Sequence, residues 1–286
     1  MGPMRRREFF QTAAAVAGAV SAQGQEATPR KGRIKQGVTS GVFGRGMPFE
    51  EQCRIAARLG AKGFDLIGPD RWPILKKYGL VPTMYPAGPG GTIPDGLNRK
   101  ENHERILKSL HAAIDEAAAN GVPNIITFSG NRRGMSDQEG ADNCVLALNQ
   151  IKSHAEDKGV TICMELLNSK VNHKDYMCDH TAWGVDVCRR VNSPRIKLLY
   201  DIYHLQIMEG DIVRTIRENI QWIAHFHTGG NPGRHEIDDT QELNYRFVAK
   251  AIADLGFTGY VSHEYSPAPG RDPVRSLEAA MEIFDV

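Results

Sequence analysis

The sequence predicts an α/β fold, a single (β/α)8 barrel of eight parallel strands. Strand-like runs alternate with amphipathic helical runs eight times over about 250 residues, close to the ordinary length of one such barrel. The turn after the first strand, Thr39-Ser40-Gly41-Val42-Phe43-Gly44-Arg45-Gly46, has glycines but no GxGxxG, and no Walker-type lysine motif occurs. A doubly wound nucleotide-binding sheet would normally carry one of these. Four acidic or imidazole residues end the last four strand-like runs, where the active site of a barrel is built.

In chain order, residues 34–40 give the first strand and 48–60 a helix with Ile55, Ala56 and Leu59 on one face. Residues 63–67 form the second strand, and 70–78 a short helix with Asp70 as its N-cap. Residues 80–84 form the third strand. Residues 85–97 are rich in Gly and Pro and too long for a tight turn, so they read as a mobile loop on the active-site side. A long helix over 98–120 is stopped by Gly121, and 125–128 is the fourth strand, with Ser129-Gly130-Asn131-Arg132-Arg133 at its mouth. The helix over 136–158 closes on Gly159. The fifth strand spans 160–166, and the helix over 180–191 stops before Pro194. Residues 196–201, 222–227 and 260–264 are the last three strands, followed by helices over 211–219, 244–255 and 273–284.

Composition is that of a soluble globular chain, with 286 residues, 41% hydrophobic and 24% charged. A formal net charge of +1 gives no reason to expect nucleic acid or an anionic membrane as partner. No apolar stretch reaches the roughly 18–20 residues of a membrane span. The N-terminus differs: Arg5-Arg6-Arg7-Glu8-Phe9-Phe10 precedes an alanine-rich run ending in Val20-Ser21-Ala22. That order of basic head, apolar middle and small-residue end resembles a twin-arginine export signal. Residues 1–32 are therefore expected to be signal and linker, and 33–286 the catalytic barrel. The enzyme would be periplasmic or otherwise extracytoplasmic, and cytoplasmic if the signal does not function. Five cysteines (Cys53, Cys144, Cys163, Cys178 and Cys188) show neither a disulfide framework nor a zinc-ribbon spacing.

Strand alternation tests whether the four end residues converge. Glu165 shares a face with Cys163 and Thr161, His227 with His225, and Glu264 with Ser262 and Tyr260, while Asp201 ends the run Leu198-Leu199-Tyr200. Each could also be a solvated strand end, but four on consecutive strands point to one mouth. Three carboxylates and an imidazole suit one hard or borderline divalent ion: Mn²⁺, Mg²⁺, Co²⁺ or Zn²⁺. A substrate with adjacent carbonyl and hydroxyl oxygens could chelate it, which would acidify the α-proton. Glu165 and Glu264 would then remove a proton and return it through an enediolate.

The segment Leu199-Tyr200-Asp201-Ile202-Tyr203-His204-Leu205-Gln206 resembles the sixth-strand motif of hydroxypyruvate isomerases, as do Pro232-Gly233-Arg234-His235-Glu236 and Glu242-Leu243-Asn244-Tyr245 after the seventh strand. Met164-Glu165-Leu166-Leu167-Asn168 and Gly259-Tyr260-Val261-Ser262-His263-Glu264 are similar more loosely. The wider group is the xylose isomerase-like barrels, which also holds ketose 3-epimerases and apurinic endonucleases. The resemblance implies a metal held by Glu165, Asp201, His227 and Glu264, with the two glutamates as acid/base pair and His204 and Arg234 on substrate oxygens. It implies weaker, loop-ordering roles for His235, Glu236, Asn131 and Arg132. Histidine at position 227 is the epimerase choice, whereas the Pro232–Glu236 segment favours the isomerases. The expected function is a metal-dependent isomerase or epimerase of small α-hydroxy-carbonyl compounds, hydroxypyruvate or a ketose. The expected partner is thus a small carbohydrate or hydroxy-keto acid, and paired barrels in the group point to a homo-oligomer. The alternative is a metal-dependent lyase or hydratase acting on oxidised sugars or glycosides, since an enediolate can also end in β-elimination. A non-catalytic sugar-binding barrel or an endonuclease stands behind both.

Overall fold

The computed structural model describes residues 27–286, so the expected export signal lies outside the described residues. Part of the stretch read as linker lies against the barrel: the Thr28 N–H donates to the Arg58 carbonyl (2.8 Å), Arg30 Nε to the Leu59 carbonyl (3.0 Å) and the Lys31 N–H to Asp285 Oδ1 (2.6 Å).

Eight strands form one sheet: β1 (Lys35–Val38), β2 (Gly63–Asp65), β3 (Val81–Met84), β4 (Asn124–Thr127), β5 (Thr161–Leu166), β6 (Ile196–Asp201), β7 (Ile223–Thr228) and β8 (Tyr260–His263). Every strand pairing within it is parallel, and β1 lies beside β8, so the sheet curls round on itself. Closure between β3 and β4 rests on Tyr85, whose N–H donates to the Asn124 carbonyl (2.8 Å) and whose carbonyl accepts from the Ile126 N–H (3.4 Å). Around the sheet run α1 (Phe49–Arg58), α2 (Trp72–Lys77), α3 (His103–Asn120), α4 (Asp137–Lys158), α5 (Thr181–Val191), α6 (Ile202–Met208), α7 (Ile212–Asn219), α8 (Tyr245–Asp254) and α9 (Pro273–Ile283). Among the described residues no helix is long and apolar enough to cross a membrane.

The expected period holds, and the differences are local. Gly121 and Gly159 end α3 and α4 in the left-handed region (φ 72° and 70°), which costs little without a Cβ. Asp70 does not cap a helix: it sits within a single 3₁₀ turn, Pro69–Arg71, and α2 begins at Trp72. The short helix α6 has no counterpart in the sequence reading. Its seven residues are too few for a clear 3.6-residue period, and the residue that starts it, Asp201, also ends a strand. The glycine-rich loop over 85–97 is fastened to β4. Thr127 Oγ1 donates to the Gly90 carbonyl (2.8 Å), and the N–H groups of Leu97 and Asn98 continue the pairing onto Phe128 (3.0 Å) and Ser129 (2.7 Å).

The helices pack where outward strand residues meet small ones. A Cβ at Gly184 on α5 would lie 2.9 Å from Leu198 Cδ2 of β6 and 3.3 Å from Leu166 Cδ2 of β5, so glycine sets that approach. Leu166 and Leu198 thus face the helical layer. By the two-residue alternation, Glu165 and Asp201 face the barrel interior.

Candidate active site

All four predicted ligands meet at the C-terminal mouth. Glu165 is the penultimate residue of β5, Asp201 the last of β6, His227 the penultimate of β7, and Glu264 follows β8 directly. Asp201 pairs in register with His227, and His227 with Ser262, two residues before Glu264. One ligand atom from each of the four lies within 4.8 Å of the others. Asp201 and His227 are wholly buried, Glu165 is 5% exposed, and the Glu264 side chain, at 24%, borders the opening.

His227 shows how the cluster is held. Its Nε2 lies 2.9 Å from Asp65 Oδ2 at the end of β2, and the same carboxylate oxygen is 2.6 Å from His225 Nε2. Thr83 donates its hydroxyl to the other oxygen of Asp65. His227 Nδ1 is left facing Glu264 Oε2 (2.7 Å) and Glu165 Oε1 (3.6 Å), with no well-formed hydrogen bond although it is buried. A lone pair set against two carboxylates needs a positive charge between them. Burial would lower the imidazole's proton affinity, but Glu264, Asp65 and Glu165 outweigh it and raise it well above the ordinary histidine range. Four carboxylates (Asp65, Glu165, Asp201 and Glu264) crowd this site, and among the described residues Arg234 is a fixed cation that reaches two of them, Asp201 and Glu264. The donor set, the orphaned Nδ1 and the charge imbalance all fit a divalent ion, with Asp65 orienting the His227 imidazole from behind.

Arg234 reaches over this cluster from the loop after β7. One guanidinium nitrogen, Nη2, donates to Asp201 Oδ2 (2.6 Å) and Glu264 Oε2 (2.7 Å), and the group lies 5.3 Å from the Tyr203 ring centroid. The loop is narrow at Gly230, where a Cβ would run into the Glu236 carbonyl. The two glutamates are driven apart in proton affinity. Burial, helped by the nearby charges of Glu264 and Asp201, raises Glu165 despite its contact with His227. Burial pushes Glu264 up too, but His227 and Arg234 outweigh it and hold its carboxyl low. Asp201 is raised, chiefly by burial and against the pull of Arg234.

His204 lies in the first turn of α6 rather than in a loop, because Asp201 Oδ1 accepts its backbone N–H at 3.3 Å. Its Nε2 is 3.6 Å from Asp201 Oδ2, so it does belong to the mouth. The weaker candidates order loops. Arg132 grips Asp179 through two nitrogens (3.0 and 3.2 Å) and donates to the carbonyls of Tyr176 and Met177. The Asn131 N–H donates to the Pro94 carbonyl at 3.2 Å. His235 Nδ1 lies 2.8 Å from the Ser266 carbonyl, and Glu236 accepts from the Ala268 N–H and the Ser276 hydroxyl. Sequence reasoning missed Asp65: it lies in the middle of the run read as the second strand, residues 63–67, and closes a strand only because β2 stops there.

Beside Glu264 and Arg234 opens a cavity of about 330 Å³, walled by Thr39, Ser40, Leu66, Ile67 and Tyr265. A larger cavity of about 700 Å³ lies at the opposite, N-terminal end of the barrel, but no carboxylate, imidazole or thiol lines it. The five cysteines are buried, and burial raises every one of their thiols.

A family model described as xylose isomerase-like TIM barrel matches residues 53–285. The chain belongs to that family. It is 34% identical over 204 residues to the 2-oxo-tetronate isomerase of Cupriavidus necator, covering 68% of this chain and 76% of that protein. It is 42% identical over 232 residues to a Drosophila melanogaster protein provisionally named a hydroxypyruvate isomerase, covering 78% of this chain and 88% of that one. Among solved structures, AP endonuclease family 2 from Brucella melitensis superposes with a TM-score of 0.77 at 24% identity, covering 85% of this chain and 96% of that one. D-psicose 3-epimerase from Clostridium cellulolyticum H10 gives 0.72 at 18% identity, with 88% and 98% covered. These two establish the shared barrel. With its isomerase relatives, the chain is an enzyme of the isomerase/epimerase kind.

Proposed function

We propose that the chain is a divalent-metal-dependent isomerase of small 2-oxo or keto sugar compounds, with hydroxypyruvate and four-carbon 2-oxo acids first among its substrates. The observation that carries this reading is the convergence of Glu165, Asp201, His227 and Glu264 in one cluster at the mouth, two of whose carboxylates, Glu165 and Glu264, have opposed proton affinity. The names of the relatives supply the substrate class. A cavity of about 330 Å³ is at the small end of ligand sites and suits a compound of a few carbons.

Glu165, Asp201, His227 Nδ1 and Glu264 would hold the ion. When bound, it would polarise the substrate carbonyl and make the neighbouring C–H acidic. Glu264, kept ionised by His227 and Arg234, takes the proton, and the C–H electron pair moves onto the carbonyl oxygen. Glu165, pushed up by burial, delivers a proton to the former carbonyl carbon, while the substrate's hydroxyl proton passes to the former carbonyl oxygen and the hydroxyl-bearing carbon becomes the new carbonyl. Delivery instead to the carbon that lost its proton, from the other face, would be epimerisation. Two carboxyl groups whose environments separate their proton affinities are a recurrent acid/base arrangement. Arg234 is placed to donate to oxygens of the substrate, and its planar fork suits a carboxylate or vicinal oxygens.

The test is metal analysis of the purified chain, followed by deuterium incorporation from solvent into hydroxypyruvate, 2-oxo acids of four carbons and ketoses. Exchange at the α-carbon is expected, and it should disappear on chelation and in Glu264→Gln. Bound metal without exchange in any of these compounds would sink the reading.

A further inference from the structure

His204 is wholly buried, and two donors converge on its Nδ1. The backbone N–H of Asn168 lies 3.2 Å away, and the side-chain amide nitrogen of the same residue lies 2.5 Å away. The amide's orientation is fixed by its own oxygen, which accepts the N–H groups of Val171 (3.0 Å) and Asn172 (2.8 Å). A flipped amide would set its NH₂ group against both of those donors. Two N–H groups aimed at one ring nitrogen require that nitrogen to offer a lone pair. The ring proton therefore sits on Nε2.

Nε2 has no hydrogen-bond partner. The nearby oxygen, Asp201 Oδ2, is 3.6 Å away, too far for a bond. A buried N–H without an acceptor is costly, so this donor gains by meeting an oxygen that enters the mouth.

We propose that Asn168 is a positioning residue that holds His204 as a neutral donor, with Nε2–H directed at an oxygen of the substrate. The substrate's part in this rests on the isomerase reading, whereas the tautomer does not. The arrangement removes His204 as a base, because the nitrogen facing the mouth carries a proton and the basic one is sealed by Asn168. Proton movement at carbon is thereby left to Glu165 and Glu264. The same amide also fastens the loop after β5. Asn168 Nδ2 donates to Asn172 Oδ1 (2.8 Å), which in turn accepts the Tyr203 hydroxyl (3.0 Å). Since Arg234 packs on the Tyr203 ring, one asparagine ties together the loop, the His204 donor and the support of the guanidinium.

Nitrogen-15 NMR of the full chain with magnesium added reads the tautomer directly, with His204 identified by the signals missing from His204→Gln. A pyridine-like Nδ1 and a pyrrole-like Nε2 are expected. The reverse order, or a doubly protonated ring, overturns the proposal. Asn168→Asp places a carboxylate acceptor against Nδ1 and should put a proton there. With it, KM for the compound turned over should rise about tenfold, the worth of one hydrogen bond, while kcat changes less. Unchanged His204 signals together with an unchanged KM in that variant also overturn it. The wild-type spectrum decides even where Asn168→Asp does not fold. If the wild type exchanges no 2-oxo acid or ketose, the isomerase reading falls while the tautomer is still judged by its own signals.

Discussion

Asp65→Asn is the substitution on which the metal reading presses hardest. The wild-type carboxylate is wholly buried and touches no part of the substrate cavity except as a wall. One of its oxygens accepts from His227 at 2.9 Å and from His225 at 2.6 Å, and the other from Thr83. Burial raises its proton affinity, yet His225 and His227 together bring it well below the ordinary carboxylate range, so it is ionised when the histidines donate. That fixes His227 with Nε2–H behind and the Nδ1 lone pair in front. An amide in its place keeps the shape but loses the charge and, in one of its two orientations, faces Nε2–H with its own N–H. Losing such an outer partner ordinarily weakens metal affinity about 10–100-fold, or about 1.4–2.8 kcal/mol. Calorimetric titration of chelator-treated protein with Mn²⁺ or Co²⁺ should show that loss, with the cluster's four ligands unchanged. Unaltered affinity in a folded Asp65→Asn would refute the argument that His227 is oriented from behind.

Two further outcomes concern stability. Asp179 is held below its ordinary range: burial opposes this, but Arg132, Ser169 and His180 outweigh it. Its ion pair therefore adds stability above the unfolded carboxylate's value near 3.8 and loses it as the pH falls through the lower folded value. Asp179→Asn should cost about 2 kcal/mol at pH 7 in urea unfolding, and the gap to wild type should close as the pH falls below the ordinary carboxylate range; a gap independent of pH would be the wrong result. Gly184→Ala gains helix propensity of about 1 kcal/mol but drives a methyl against Leu198 and Leu166, an overpacking worth about 1–3 kcal/mol. A net fall in Tm of a few degrees is expected, and a rise would show that α5 can lift off the sheet freely.

Much of the candidate site was legible because a strand alternates sides every residue. That rule put Glu165, His227 and Glu264 on the inner face of their strands, and the β/α period placed those strands next to one another. The short helix α6 was not legible, since Asp201 serves as strand end, candidate ligand and N-cap at once. Asp65 was not legible either, since it falls inside a strand-like run and its histidine partners lie 160 and 162 residues away, a separation no local pattern spans.

The sequence by itself determined the period of the barrel, the glycine stops and the identity of the four mouth residues, because hydrophobic alternation and backbone geometry act over a few neighbours. Only the tertiary structure decided which nitrogen of each histidine faces the mouth. That choice depends on what sits behind the ring, Asp65 for His227 and Asn168 for His204, and the closing of the sheet alone brings those groups within hydrogen-bond reach.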